Sequence, residues 1–378
     1  MKKPLAKLLY GASETDANLL YVTQFFAPDS FLWISISKKE KEKTYGFFSD
    51  LEIDRARRTA RITHCFSITN FSILKKFAKI KNKDIAALLS FLEEKEIRHL
   101  TVPYTFPAGI AELLKKQGLQ LSLVKDADLF PERRAKTTLE IKYLKQAQAV
   151  AELGMARAKE LLQRAKITSN GFLQLNHQRL TSEKIQAEIN VALAYAGAVG
   201  VHTIVAGGEQ ACDPHERGYG PLRANELIIV DIFPRVIKSG YWGDITRTFV
   251  RGKASESQQK LYQTVLTGQK RALQQLHDNC DGIKIQQDIR NFFTEQGYPT
   301  EIRKKRHVGF FHGLGHGVGL EIHESPRFGS GKLRKNDAIT VEPGLYYPGL
   351  GGVRVEDLVV IEKTGYQNLT RFSKNLVL

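Results

Sequence analysis

Short runs of apolar residues along the first third of the chain predict several strands. "NLLYVTQF" (18–25) and "SFLWISIS" (30–37) are rich in aromatic and branched residues, and "HLTVPY" (99–104) and "LQLSLV" (119–124) follow the same pattern. Each run is therefore expected to be one strand.

Between these runs, the apolar spacing changes to the period of a helix. "KDIAALLSFLEEKEI" (83–97) places its apolar residues at steps of three and four behind Asp84, the predicted N-cap. "AGIAELLKKQG" (108–118) predicts a second helix that ends at Gly118. Strands and helices together predict a small α/β domain at the start of the chain.

A domain boundary is predicted within "FPERRAKTTLEIKYL" (130–144). Pro131 ends the preceding element, and Thr137 with Glu140 forms a capping box for the next helix. We therefore predict domains over 1–132 and 133–378. The new helix has an apolar face typical of a core rather than of a cofactor site: Leu144, Ala147, Ala151, Met155, Ala158 and Leu162.

The second domain alternates between the two patterns without a strict β-helix-β order. Two further amphipathic helices are predicted over 181–198 and 255–276. Four apolar stretches predict strands: "ELIIVDIFPRV", "YWGDITRTFV", "DAITVEPGLYY" and "GGVRVEDLVVIEK". This order predicts an α+β fold rather than a doubly wound sheet.

The composition narrows the classes of partner. The formal net charge is +16, but the basic runs at 38–43, 55–61 and 303–306 are short and scattered, so no nucleic-acid partner is expected. No apolar stretch is long enough to span a membrane. The apolar run near the start is short and interrupted by Lys7, so we expect a cytoplasmic protein. Three isolated cysteines, Cys65, Cys212 and Cys280, predict buried free thiols.

Each predicted strand of the second domain carries an acid where an apolar or neutral residue would be usual. These residues are Asp231, Asp244, Glu342 and Glu356. Four buried carboxylates repel one another and become protonated unless cations neutralise them. Two divalent ions balance the four charges, and ligands of mostly oxygen suit Mn²⁺ or Co²⁺, with Zn²⁺ also possible.

A glycine-rich stretch, "FHGLGHGVGLEIHESP" (311–326), holds three of the ten histidines: His312, His316 and His323. Glycine lowers local stability and is usually retained where the backbone passes close to another group. One imidazole of this stretch would complete a ligand set that is otherwise made of carboxylates.

The spacing of two of the acids suggests a hairpin. Asp244 follows Asp231 by thirteen residues. A two-residue turn at Ile237 and Lys238 would set the two aspartates directly opposite each other on one face. Both carboxylates would then reach one pair of ions.

With these motifs the chain resembles the pita-bread metallopeptidases, which include methionine aminopeptidase, aminopeptidase P and prolidase and share their fold with the metal-independent creatinases. The resemblance extends from "LEIKYLKQAQAVAELG" through "HTIVAGGEQACDPHERG" to "VRVEDLVVIE". Residues 1–132 look like the creatinase-type amino-terminal domain of aminopeptidase P and prolidase. The resemblance implies an α+β pita-bread catalytic domain and a peptidase of the Xaa-Pro branch.

The resemblance also implies a ligand set for two divalent metal ions, with manganese favoured. Asp231 would chelate one ion, Asp244 and Glu356 would bridge both, and His316 and Glu342 would complete the coordination. A hydroxide that bridges the ions would attack the Xaa-Pro bond of a peptide substrate.

Further roles are carried over from the same motifs. Glu342 would act as the general acid or base, and His215 and His323 would face the substrate and stabilise the tetrahedral intermediate. His312 would line the pocket for the residue after the scissile bond, and Arg354 would support the ligands. A homodimer is expected by analogy.

Two positions depart from this pattern. Phe233 stands where the family usually has a small residue, in a segment two residues longer than usual, and this departure bears on substrate specificity. His202 matches no catalytic position. The alternative functions are an aminopeptidase without proline specificity and a non-catalytic pita-bread binding protein with a basic surface.

Overall fold

The computed structural model of the chain describes residues 5–38 and 41–378. Two of the sequence features lie partly outside the described residues. They are the basic start of the chain and the basic run at 38–43. The chain divides into two compact units, one ending at Arg133 and the other beginning at Arg134. Both units combine helices with sheets, so the predicted mixture of α and β structure is confirmed.

The described part of the first unit contains one six-stranded mixed sheet, with strand order β4-β3-β2-β1-β5-β6. Its pairs β1/β2 and β2/β3 are antiparallel and the remaining three pairs are parallel. The strands are β1 Leu5–Gly11, β2 Phe31–Lys38, β3 Lys41–Phe48, β4 His64–Ser67, β5 His99–Pro103 and β6 Gln120–Val124. The helices are α1 Ala17–Thr23, α2 Ile53–Thr59, α3 Lys83–Glu94, α4 Ala108–Lys116 and α5 Asp126–Leu129.

Most of the elements predicted for this unit are confirmed, and two predictions are wrong. The segment 18–25 is mainly helix α1 rather than a strand, because the Asp16 side chain accepts a hydrogen bond from the Leu19 amide and caps a helical turn. The N-cap of α3 is Asn82 rather than Asp84, since the Asn82 side chain accepts from an amide of the first turn.

The helices of the second unit are α6 Thr138–Arg164, α7 Ser182–Tyr195, α8 Glu256–Gln274 and α9 Gly282–Glu295. The capping box of Thr137 and Glu140 is present at the start of α6, and the predicted apolar face of α6 is fully buried. Helix α9 was not predicted from the sequence. No helix in the described residues is long and apolar enough to cross a bilayer.

The strands of the second unit fall into several short sheets. They are β7 Lys166–Ile167, β8 Leu173–Leu175, β9 Gln178–Arg179, β10 Ala198–Gly200, β11 Ile204–Gly207, β12 Ile228–Ile232, β13 Pro234–Val236, β14 Ile245–Phe249, β15 Glu301–Arg303, β16 Arg306–Val308, β17 His316–Gly317, β18 Glu324–Arg327, β19 Ala338–Val341, β20 Gly344–Tyr347, β21 Gly351–Arg354, β22 Asp357–Ile361 and β23 Tyr366–Asn368.

Two hydrophobic clusters support these sheets. Residues of α6 and α7 pack with the sheet β11-β12-β14 in one cluster. Residues of α8 and α9 pack with strands β19 to β22 in the other cluster. The ends of these strands carry the candidate site, which is thus held by packed secondary structure rather than by long loops.

A close backbone contact joins α6 to the segment that leads into β14. A Cβ atom on Gly243 would lie 2.4 Å from the carbonyl oxygen of Ala147. No side chain fits at this position, and Gly243 directly precedes the candidate ligand Asp244.

We therefore expect Gly243→Ala to lower the free energy of unfolding by about 1–3 kcal/mol, the usual cost of forcing atoms into a packed interior. Gly329→Ala is the control, since nothing lies within 4 Å of a Cβ atom built there. Chemical denaturation of both variants measures the difference. Equal stability of the two variants would contradict the contact.

Candidate metal centre

The register of the sheet β11-β12-β14 places two of the acidic residues on one face. Asp231 pairs with Thr246, and Ile232 pairs with Ile245. Asp244 is therefore offset from Asp231 by two residues, and the prediction that the two aspartates lie directly opposite each other is wrong. The turn covers Ile237 to Gly240, with the Gly240 amide donating to Val236 over 2.8 Å, so the register is shifted. A shift of two residues preserves the face.

Three of the four acids lie where a strand begins or ends. Asp244 precedes β14, Glu342 lies between β19 and β20, and Glu356 lies between β21 and β22. At these breaks a side chain can turn toward a shared point without disrupting a ladder of hydrogen bonds. Strands predicted as continuous over 337–347 and 351–363 are in fact interrupted at these two glutamates.

The side chains of Asp244, His316 and Glu356 converge. One ligand atom from each of these buried residues lies within 4.8 Å of the others, a spacing that one metal ion could bridge. The Nε2 atom of His316 lies 3.6 Å from Asp244 Oδ2 and 3.3 Å from Glu342 Oε1. The structure thus brings together four of the five predicted ligands.

The protonation of His316 fits a metal ligand. Burial lowers its pKa to about 3, so the ring is neutral at physiological pH. Its Nδ1 atom lies 3.2 Å from the Gly317 carbonyl oxygen, which accepts the single ring proton. The lone pair on Nε2 then faces carboxylate oxygens, an arrangement that repels unless a cation lies between them.

The carboxylates show the same electrostatic conflict. Burial and the neighbouring Glu356 raise the pKa of Asp244 well above its ordinary value. Burial and Glu342 do the same to the pKa of Glu356, and burial raises the pKa of Glu342 to about 7. Without a cation, the cluster therefore competes for protons near neutral pH.

Asp231 provides the clearest test of whether the residues fit a metal ion. Its Oδ2 atom accepts a hydrogen bond of 2.8 Å from Arg354 Nη2. Its Oδ1 atom is buried and has no hydrogen-bond partner among the described residues. A buried carboxylate oxygen without a donor is costly, and a divalent ion would satisfy it. The residues present thus fit a bound divalent ion.

Three supporting side chains were not predicted from the sequence. The Thr246 hydroxyl donates to Glu356 over 2.8 Å, and the Thr340 hydroxyl donates to Glu342 over 3.3 Å while accepting from the His316 amide. Gln148 on α6 bonds both the amide and the carbonyl of Asp244 at 2.9 Å. Each threonine lies two residues from an acid on the same strand face. The alternation of the strands could therefore have identified both threonines from the sequence.

The glycines around His316 allow a close approach of two backbones. A Cβ atom on Gly315 would lie 2.0 Å from the Thr340 carbonyl oxygen. The segment that carries His316 therefore packs directly on β19, which ends one residue before Glu342. This contact explains why residue 315 is a glycine.

A cavity of about 890 Å³ opens over the cluster. All five predicted ligands line it, and so do His215, His323, His312 and Arg354. His215 and His323 are exposed within it, and the rings of His316 and His323 meet edge to face at 4.3 Å between centroids. The cavity also includes His202, Phe233, Arg217 and Arg327, whose place there was not predicted.

A chain of hydrogen bonds links His312 to Asp231. The Tyr346 hydroxyl lies 2.9 Å from His312 Nε2 and accepts from Arg354 Nη1 at 2.9 Å. Burial lowers the pKa of His312 to about 3, so its ring is neutral. Tyr346 is fully buried and was missed in the sequence analysis.

A model of metallopeptidase family M24 matches residues 142–363. The chain belongs to metallopeptidase family M24. The peptidase therefore has the pita-bread fold, as predicted, and the family match agrees with a divalent metal requirement.

Individual relatives extend over most of the peptidase. It is 30% identical to a Xaa-Pro dipeptidase of Pyrococcus horikoshii over 288 residues, which cover 74% of this chain and 75% of the relative. Among solved structures, it resembles an X-Pro aminopeptidase from Thermotoga maritima, with a TM-score of 0.81, 22% identity and coverage of 99% and 97%. It also resembles a prolidase from P. horikoshii, with a TM-score of 0.77, 26% identity and coverage of 98% and 95%.

The raised pKa of Glu342 predicts how the metal-free peptidase responds to pH. The folded chain retains this proton up to about pH 7, whereas an unfolded glutamate releases it near pH ~4.3. The resulting stabilisation is complete at low pH and is lost as the pH rises through about 7. Urea unfolding of chelator-treated protein should therefore show a lower free energy of unfolding at pH 8 than at pH 5.

Glu342→Gln should make this decline shallower, because the substituted residue does not titrate. Glu295→Gln, at an exposed position of α9, is the control and should show the wild-type decline. Identical pH dependence in both variants would exclude Glu342 as its source.

Proposed function

We propose that the peptidase hydrolyses Xaa-Pro bonds, at the amino terminus of peptides or in Xaa-Pro dipeptides, with two bound divalent ions. The observation that carries the proposal is the convergence of buried carboxylates and a neutral imidazole on one cavity. The names of the relatives, Xaa-Pro dipeptidase and X-Pro aminopeptidase, support the substrate class.

Five residues would hold the ions: Asp231, Asp244, His316, Glu342 and Glu356. Bound divalent ions would lower the pKa of a shared water molecule towards neutrality and so supply hydroxide for attack on the peptide carbonyl. An oxygen-rich donor set with one imidazole favours Mn²⁺, although Co²⁺ or Zn²⁺ would also bind. Arg354 orients Asp231 through its hydrogen bond of 2.8 Å.

Glu342 is proposed to move the proton of the reaction. It lines the cavity, and the Thr340 hydroxyl fixes one of its oxygens. A carboxyl group held beside the reacting water can accept a proton and pass it to the leaving amine. Because Glu342 also lies next to the proposed ligand His316, it would be both a metal ligand and a proton carrier.

His215 and His323 are proposed to donate to the oxygen that becomes negative during attack. Both rings reach the cavity from exposed positions, so a substrate carbonyl can approach them. Partial burial of the His323 ring in the cavity and the nearby Arg327 lower the pKa of His323, which leaves a neutral ring with one N–H donor. Donors fixed at the site of developing charge stabilise the transition state more than the substrate.

The wall around His312 supports acceptance of proline after the scissile bond. Proline lacks an amide donor and has a fixed φ, so its pocket needs apolar shape rather than a hydrogen-bond acceptor. His312 packs against the rings of Phe310, Phe311 and Tyr346, with centroid distances of 5.0 to 6.5 Å. Of this aromatic group, His312 and Phe311 line the cavity beside the proposed metal pair, and Phe310 and Tyr346 are buried behind them.

Removal of a proposed ligand should remove metal. We expect Asp244→Ala and His316→Ala to fold, to contain less Mn²⁺ after loading, and to lose hydrolysis of Ala-Pro. His323→Ala is the matched control, which should keep both ions but lose about 10²-fold in turnover. Elemental analysis alongside peptide turnover measures both quantities. Full metal content in the ligand variants, or depletion in His323→Ala, would refute these assignments.

Proline specificity is tested with matched dipeptides. The Mn²⁺-loaded peptidase should hydrolyse Ala-Pro and Met-Pro at least ~10-fold faster than Ala-Ala and Met-Ala, judged by kcat/KM, because an aromatic pocket discriminates mainly by shape. Ala-Pro-Ala, measured in parallel, separates a dipeptidase from an aminopeptidase. Equal rates with and without proline would instead support the aminopeptidase without proline specificity.

A further inference from the structure

Phe233 lies on the same face of the sheet as the two aspartates. The register that pairs Asp231 with Thr246 continues beyond β12, since the Gly243 amide donates to the Pro234 carbonyl over 3.0 Å. In this register Phe233 is opposite Asp244. Opposed residues of antiparallel strands share a face, and so do residues two apart on one strand. The phenyl ring therefore projects on the side of the proposed ligands.

The half-buried Phe233 ring lines the cavity above the cluster. Directly opposed residues have Cβ atoms about 4.5–5.5 Å apart, and a phenyl group extends further from the backbone than the carboxylate of Asp244. The ring thus extends into the cavity on the side of the proposed ligand Asp244.

A β-bulge brings a second side chain to this end of the cavity. Gly200 pairs with Pro234, whereas Ile204 pairs with Asp231, so the strand formed by β10 and β11 contains one extra residue. His202 lies in this irregular segment with a φ of 58° and lines the cavity. Bulges near functional sites commonly redirect a side chain.

We propose that Phe233, with His202 beside it, limits the size of the substrate residue before the scissile bond. The inference rests on the proposed function. The aromatic group around His312 is the proposed wall for the residue after that bond. Phe233 lines the same cavity from a different part of the fold. The two walls then receive the two residues that flank the bond, and the peptidase selects a small first residue such as Gly, Ala or Ser.

The test compares kcat/KM for Leu-Pro and Ala-Pro in the Mn²⁺-loaded wild type and in Phe233→Ala. Removal of the ring should raise the Leu-Pro to Ala-Pro ratio about 10-fold or more, the usual range for a change of size in an apolar pocket. Phe233→Leu should give a smaller change in the same direction, and it carries the test if Phe233→Ala does not fold. His202→Ala should also raise the ratio.

Phe311→Ala, on the other wall, is the matched control and should leave the Leu-Pro to Ala-Pro ratio unchanged. An unchanged ratio in both Phe233 variants, or a change confined to the residue after the bond, would overturn the inference. A parallel Xaa-Ala series separates the two proposals, because the same change in ratio there would support the inference even if proline specificity failed. A metal-loaded wild type that cleaves neither series would overturn both.

Discussion

The mutual repulsion of buried carboxylates is the constraint on which the catalytic unit depends. Asp231, Asp244, Glu342 and Glu356 all face one cavity, and burial raises the pKa of three of them. A core that had only to be stable would not contain this group. The group is understandable if bound cations neutralise its charge. The buried Asp231 Oδ1 atom has no hydrogen-bond donor in the described residues, so a cation is the partner that it lacks.

The surrounding structure holds these groups despite their repulsion. Threonine hydroxyls fix two of the carboxylates, Gln148 holds the backbone of Asp244, and Arg354 supplies a fixed positive charge. Packed helices hold the strands that carry these residues. A site whose geometry is set before substrate binds needs little reorganisation during the reaction. Electrostatic stabilisation of the transition state is largest in such a preorganised site.

The sequence was sufficient for the fold class, most helices and the acids that converge, because each depends on a local period or on a motif. It failed where tertiary context decides. Asp16 converts the strand-like segment 18–25 into a helix through one cap. The register between Asp231 and Asp244 depends on a four-residue turn whose length the alternation does not specify. Tyr346 and Gln148 act through contacts distant in sequence, so no local pattern could have identified them.

We propose that this cluster binds two ions close together. Titration of the metal-free chain with Mn²⁺, followed by electron paramagnetic resonance, measures both the number of bound ions and their separation. Two ions held by shared carboxylates should be spin-coupled, so we expect saturation at two ions per chain with a broadened, coupled spectrum. Saturation at a single ion with the spectrum of isolated Mn²⁺, or no binding, would contradict it.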